Sequence, residues 1–312
     1  MNYYLWEQTR LFAGLPNSNQ IMSKRRDFVK NSLLASAGIA GLGSVASLYG
    51  ATGRRVNPSD KIRVALIGGR NMGWSDLETF LKFPQVECVS ICDIDNEWLY
   101  KRAADTEKIS GKRPSQIVKD WRRVMDNPDV DAVIIGTPDH WHCLQAISAM
   151  EAGKDVYCEK PLANSIAECD AMVRAARNNK RVVQTGQWQR SDPHWQDAVA
   201  FIHSGKLGRI RTVKVWAYMI WKKTLPVQPD GTVPAGVDYD MWLGPARHRP
   251  FNPNRFHYNF RYFWDYAGGL MSDWGVHLLD YALLGMKADL PKAVYTAGGK
   301  FAYPGDAMET PD

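Results

Sequence analysis

The chain has 312 residues, 45% of them hydrophobic and 23% charged; this is room for about two domains at roughly 150 residues each and too apolar for a wholly disordered chain. The net charge of +6 misleads, because residues 1–55 carry a balance of +5 and everything from Val56 onward only +1. A nearly neutral body has no nucleic-acid footprint, and no stretch is as apolar as the spans of a polytopic membrane protein.

In chain order, the first feature is Ser23-Lys-Arg-Arg-Asp-Phe-Val-Lys30, which resembles the twin-arginine export signal. A charge-free run from Asn31 to Gly53 follows, rich in Gly, Ala and Ser. Its weak hydrophobicity suits a removable signal better than a permanent anchor, and Ser44-Val-Ala46 offers small residues for cleavage. Residues 1–21 have no role in such a signal, so translation is expected to start at Met22, with residues 22–55 as the signal peptide. The resemblance implies the twin-arginine machinery as a partner and the periplasm as the destination. All five cysteines lie beyond it (Cys88, Cys92, Cys143, Cys158, Cys169), without a Cys-x-x-Cys pattern. Cys88 and Cys92 share one predicted strand, roughly 13 Å apart at strand rise, too far to bridge. A disulfide scaffold is excluded.

Lys61-Ile-Arg-Val-Ala-Leu-Ile67 reads as a strand ending at Gly68, followed by a turn through Arg70, Asn71, Met72 and Gly73 and a helix from Trp74 to about Phe83. A second strand, Val86 to Cys92, ends at Asp93. Strand, glycine turn, helix, strand and acid in that order make a dinucleotide site. The turn offers backbone N–H groups to a pyrophosphate, and the acid accepts from the adenosine ribose. Gly68 and Gly73 serve as first and third glycines; Arg70 stands where the second would be. Asp93 and Asp95 would repel a 2′-phosphate, which favours NAD over NADP. Helices over 96–109, 141–152 and 165–178 alternate with strands 129–135, 155–158 and 181–185. Such alternation implies a doubly wound parallel α/β sheet with ligands at the strand C-termini.

Thr137-Pro-Asp-His-Trp-His142, Ala152-Gly-Lys154 and Val156-Tyr-Cys-Glu-Lys-Pro-Leu-Ala163 resemble the glucose–fructose oxidoreductase / inositol dehydrogenase / MocA family over residues 61–290. The resemblance implies a Rossmann domain over residues 60–186 that binds NAD, with Thr137, Pro138, His142, Glu159 and Lys160 joining the turn at the cofactor. It also implies an α+β substrate domain over 187–312 with an open, mostly antiparallel sheet. Pro161 pushes Lys160 into extended backbone at a strand end, and the resemblance makes Lys160 the catalytic lysine.

Past Gly186 a helix is expected over 193–204, a turn at Gly205–Gly208 and a long strand from Ile210 to Ile220. A Pro- and aromatic-rich loop from Leu225 to Trp264 holds Trp242, His248, His257 and Tyr262, and loops of that length often cover active sites. In Ala267-Gly-Gly-Leu-Met-Ser-Asp-Trp-Gly-Val-His277, Asp273 and His277 stand four apart. On a helix they share a face, where a carboxylate favours the imidazolium and orients the ring. The resemblance assigns both to catalysis, His277 as base. No metal is implied by the histidine spacing.

Export sets a constraint: free NAD is scarce outside the cytoplasm, so the cofactor must be retained and regenerated in place. Two readings follow, a sugar or polyol oxidoreductase and a redox-neutral NAD-dependent glycosidase. A third, a non-catalytic sugar-binding protein, rests on the imperfect glycine turn. Only one further strand, Ala293 to Ala302, is visible in the second half, so the chain reads as incomplete at its C-terminus. Homo-oligomer formation, which in this family often uses that sheet, stays open.

Overall fold

The computed structural model describes residues 61–219 and 222–312. The export signal and the Met22 start lie outside the described residues.

Six strands form one parallel sheet in the order β3-β2-β1-β4-β5-β6. They are β1 (Ile62–Ile67), β2 (Val86–Cys92), β3 (Gln116–Val118), β4 (Ala132–Ile135), β5 (Asp155–Cys158) and β6 (Val183–Thr185). Helices α1 (Asn71–Phe80), α2 (Asn96–Ser110), α3 (Arg122–Met125), α4 (Asp139–Glu151) and α5 (Ile166–Asn179) connect them. Strand side chains alternate between faces. Val64, Leu66 and Ile134 enter one core, while Ala65, Ile67, Val133 and Ile135 enter the other. Burial on both faces is what makes β1 and β4 near-continuous apolar runs. Strand order reverses between β1 and β4, and at such a switch point the loops diverge and leave a crevice.

Local signals explain the helix ends. The Asp95 carboxylate accepts from Glu97 N at 3.0 Å to start α2, and Gly111 ends it with φ 72, a left-handed cap that glycine adopts without strain. The Ser165 hydroxyl accepts from Glu168 N at 3.2 Å to start α5. β3 and α3 escape sequence reading because three- and four-residue elements are too short to show a period. All five cysteines are free, and burial pushes the thiols of Cys88, Cys92 and Cys158 up.

Beyond β6 the chain forms α6 (Pro193–His203), α7 (Tyr239–Leu243) and α8 (Val276–Met286). A third core, of aromatics, gathers Tyr239, Trp242, Phe251, Tyr262, Phe263 and Tyr266. The strand expected over Ile210–Ile220 is not formed within the described residues: 210–219 join no ladder, and neither do 293–302. Val213, Val215, Trp216 and Tyr218 are exposed there. Extended segments become strands only when a neighbour takes their N–H and C=O groups, and two such segments are marginal as a sheet.

Candidate active site

The crevice begins at the turn after β1. Gly68 has φ +86, and a Cβ on it would lie 2.8 Å from the Gly136 carbonyl carbon. A Cβ on Gly73 would lie 2.1 Å from Gly68 O, and one on Gly136 would lie 2.5 Å from Gly73 Cα. Three glycines therefore let the start of α1 sit directly on the ends of β1 and β4. Arg70 precedes α1 and gives it no side-chain cap, and no acid occupies its first turn. Its leading N–H groups thus face the crevice without a protein anion, the arrangement that binds phosphate. Arg70, at the second glycine position, turns its guanidinium over the Trp98 ring, 4.8 Å from the centroid.

Asp93 follows β2 and is buried. Its carboxylate accepts from Gly69 N at 2.8 Å and from Asp95 N at 3.0 Å. Burial nevertheless pushes its pKa up to about 6. His257, from the aromatic loop, reaches this end of the crevice with Nε2 2.8 Å from Asp95 Oδ2. Burial outweighs that carboxylate and holds the imidazole down at about 4.

At the other end stand Glu159, Lys160, Asp139, Arg261 and Asp273. The Lys160 ammonium donates to Asp273 Oδ1 at 2.7 Å and to Asp273 O at 3.0 Å. Arg261 Nε lies 3.1 Å from Asp273 Oδ2, so each carboxylate oxygen faces a cation. Asp273 sits in a π-helical turn, Met271–Gly275, that runs into α8; such widened turns often mark functional positions. Glu159 accepts from Lys160 N at 3.2 Å through Oε2, while Oε1 is buried without a hydrogen-bond partner. Burial, reinforced by Asp76, pushes the Glu159 pKa up to about 8. Asp139, the first residue of α4, is pushed up to about 8 by burial as well, against the pull of Arg261.

Residues 62–187 match the description "Oxidoreductase family, NAD-binding Rossmann fold" of the Gfo/Idh/MocA proteins, and residues 196–300 match their C-terminal alpha/beta domain. The chain belongs to the Gfo/Idh/MocA oxidoreductase family. Curated relatives include a "Glycosyl hydrolase family 109 protein" of Shewanella sp. (strain W3-18-1), 31% identical over half of this chain and 38% of the relative. A levoglucosan dehydrogenase of Pseudarthrobacter phenanthrenivorans is 33% identical over 48% of this chain and 39% of its own. Among solved structures, an oxidoreductase domain protein from Kribbella flavida is similar, with TM-score 0.52, 26% identity, and coverage of 73% of this chain and 54% of that one. The chain thus spans less than half the length of these curated relatives.

Of the residues expected at the site, Gly68, Arg70, Asn71, Met72, Asp93, Thr137, Pro138, Glu159, Lys160 and Asp273 line the crevice. Gly73 lies behind it, as the close contact under the turn. His142 does not reach the crevice wall: it is buried, with Nδ1 2.8 Å from Pro161 O and Nε2 2.8 Å from Thr137 O. It packs between the Lys160-Pro161 and Thr137 loops; burial lowers its pKa, and the neutral ring donates its one N–H to one of the two carbonyls. His277, expected to be catalytic, does not line the crevice either: it is buried, in edge contacts with Trp188 and Trp274. The expected pairing of Asp273 with an imidazolium is not found. Asp273 is engaged by Lys160 and Arg261, while burial and the Lys160 charge hold His277 at about 4 and therefore neutral. Sequence reading missed Arg261, Asp139, Lys119 and Gly136. Only the aromatic loop hinted at Arg261; within that loop Trp242 and His257 line the crevice, Tyr262 packs in the aromatic core and His248 is exposed.

Proposed function

We propose that this chain is an NAD-dependent dehydrogenase acting on a hydroxyl of a sugar or polyol. The observation that carries the reading is the ion pair between Lys160, at the end of β5, and Asp273, 113 residues later, closed over the switch point of the sheet. The residues present fit the dinucleotide. The uncapped start of α1 would take the pyrophosphate, Asp93 the adenosine ribose, and Glu159 and Lys160 the nicotinamide end. The partnerless Glu159 Oε1 is a buried polar atom in want of a hydrogen-bond partner. When bound, the dinucleotide supplies the hydride acceptor.

The chain's own residues do the rest. The Lys160 ammonium, held in place by Asp273, stabilises negative charge growing on the substrate oxygen. His277, expected as the base, is buried and absent from the crevice wall, so no proton transfer is assigned to it. Asp93 and Asp95 disfavour a 2′-phosphate, so NAD is preferred to NADP. Replacing Lys160 with Met is expected to reduce sugar-dependent NADH formation at saturating NAD by roughly 10²-fold or more, the range for loss of one preorganised charge-stabilising group; undiminished turnover would refute the assignment.

A second reading is favoured by the glycosyl hydrolase family 109 relative. On that reading the same site oxidises a glycoside transiently, releases the aglycone and ends with the cofactor unchanged. Product analysis separates the two: a ketone or lactone against a freed aglycone. We further propose export through the twin-arginine route, supported by Ser23–Lys30. Export that persists after Arg25 and Arg26 are both changed to Lys would refute it.

A further inference from the structure

We propose that Arg261 is a specificity residue that selects a substrate bearing a carboxylate, an acidic sugar or polyol acid rather than a neutral one. The inference rests on the sugar-binding reading above and deepens it.

Arg261 belongs to the 3₁₀ turn Asn259–Tyr262 within the aromatic loop and forms part of the crevice wall beside Lys160 and Asp273. Its guanidinium is fixed from three sides. It lies over the Tyr258 ring, 4.3 Å from the centroid, and over Phe260 at 5.1 Å. Nη1 donates to Tyr258 O at 2.6 Å, and Nε faces Asp273. A guanidinium carries five N–H donors; with Nη1 on Tyr258 O and Nε against Asp273, Nη2 is the nitrogen left for a ligand. A rigid, stacked guanidinium suits the anionic oxygen of a carboxylate, with a charge-assisted hydrogen bond from Nη2.

The charge at this end points the same way. Lys160 and Arg261 are two cations around the single carboxylate of Asp273. The other ionisable groups facing them do not balance the excess. Asp139 and Glu159 are pushed up to about 8, and His277 is held at about 4, so at neutral pH these three carry little charge. Lys160 and Arg261 thus outnumber the one carboxylate they both face, in a largely buried place where electrostatic attraction is strong. The exposed face of Tyr258, 46% accessible and lining the crevice, gives a sugar ring an apolar surface beside the guanidinium.

The test is a binding comparison on the NAD-loaded full chain by isothermal titration calorimetry, using three matched pairs: D-glucuronate and D-glucose, D-galacturonate and D-galactose, D-gluconate and D-glucitol. In at least one pair the acid should bind roughly tenfold or more tightly, the scale of one charge-assisted hydrogen bond. Arg261→Gln should bring that ratio to within about twofold. Absence of any acid preference in all three pairs, or a preference that survives Arg261→Gln in a folded variant, overturns the proposal. If Arg261→Gln does not fold, the wild-type ratio and the more conservative Arg261→Lys decide in the same way: a ratio unchanged by Arg261→Lys counts against the guanidinium. Binding is scored separately from NADH formation, so a protein that binds uronate but forms no NADH refutes the dehydrogenase reading and leaves this one standing.

Discussion

Asp273→Asn keeps the shape of the side chain and removes one charge from between two cations. In the structure Oδ1 stands 2.7 Å from Lys160 Nζ and Oδ2 3.1 Å from Arg261 Nε. The three side chains are only 13% (Asp273), 14% (Lys160) and 17% (Arg261) accessible. Two unit charges at about 4 Å attract by roughly 1 kcal/mol in water and roughly 4 kcal/mol at the dielectric typical near a protein surface. Breaking a buried pair by removing one partner costs about 3–5 kcal/mol. The Asn oxygen can still accept from Lys160, so the lower end, about 3 kcal/mol, is expected. For a folded unit of roughly 250 residues each kcal/mol shifts Tm by about 2–4 °C, which gives a fall of roughly 6–12 °C. The control is Asp170→Asn, in an ion pair with Arg174 on α5 whose side chains are 60% and 61% accessible. An exposed pair four residues apart is worth only about 0.3–0.5 kcal/mol, so that variant should lose no more than about 2 °C. Thermal unfolding followed by circular dichroism reads both. Equal losses in the two variants, or none in Asp273→Asn, would refute the claim that this carboxylate holds the two cations.

Gly73→Ala places a methyl 2.1 Å from Gly68 O, contact that only a backbone shift can relieve. Dinucleotide affinity should drop at least about tenfold at a cost in stability of roughly 1–3 kcal/mol, and titration calorimetry showing wild-type affinity would contradict the packing argument. The pH dependence of stability follows from buried acids and histidines of opposite sign. Asp139 and Glu159 at about 8, with Asp76 at about 7, keep protons in the folded chain that the unfolded chain has already lost. Stability should therefore fall as pH rises from 6.5 to 8, by roughly 1 kcal/mol per pH unit for each group still protonated. Below about 6.5 the unfolded chain takes up protons that His140, His257 and His277, all held at about 4, refuse in the fold. There the histidine contribution to stability falls as pH drops and offsets the acids. A urea midpoint that rises between pH 6.5 and 8 would be incompatible with these burials.

How much was legible in the chain depended on whether the signal was local. Short apolar runs alternating with helical stretches, and the spacing of Gly68, Gly73 and Asp93, predict the parallel sheet and its phosphate turn, because strand and helix periods act over a few residues. Pro161 likewise marked Lys160 as extended at a strand end. Partnership is another matter. Spacing alone set Asp273 beside His277, since residues four apart on a helix are neighbours. Folding instead brought Lys160 across 113 positions to Asp273 and Arg261 across from a 3₁₀ turn. His142 looked like a ligand-facing residue beside its Thr-Pro loop, and tertiary packing buried it between two backbone carbonyls. Residues 210–219 have the pattern of a strand and remain unladdered, because a strand is a property of a pair of segments. The sequence by itself thus determined the longer strands and helices of the parallel sheet and where the phosphate turn lies, as short-range sterics and periodicity do. Only the tertiary structure decided which charges meet at the crevice, because Coulomb attraction and desolvation depend on distance through space and not along the chain.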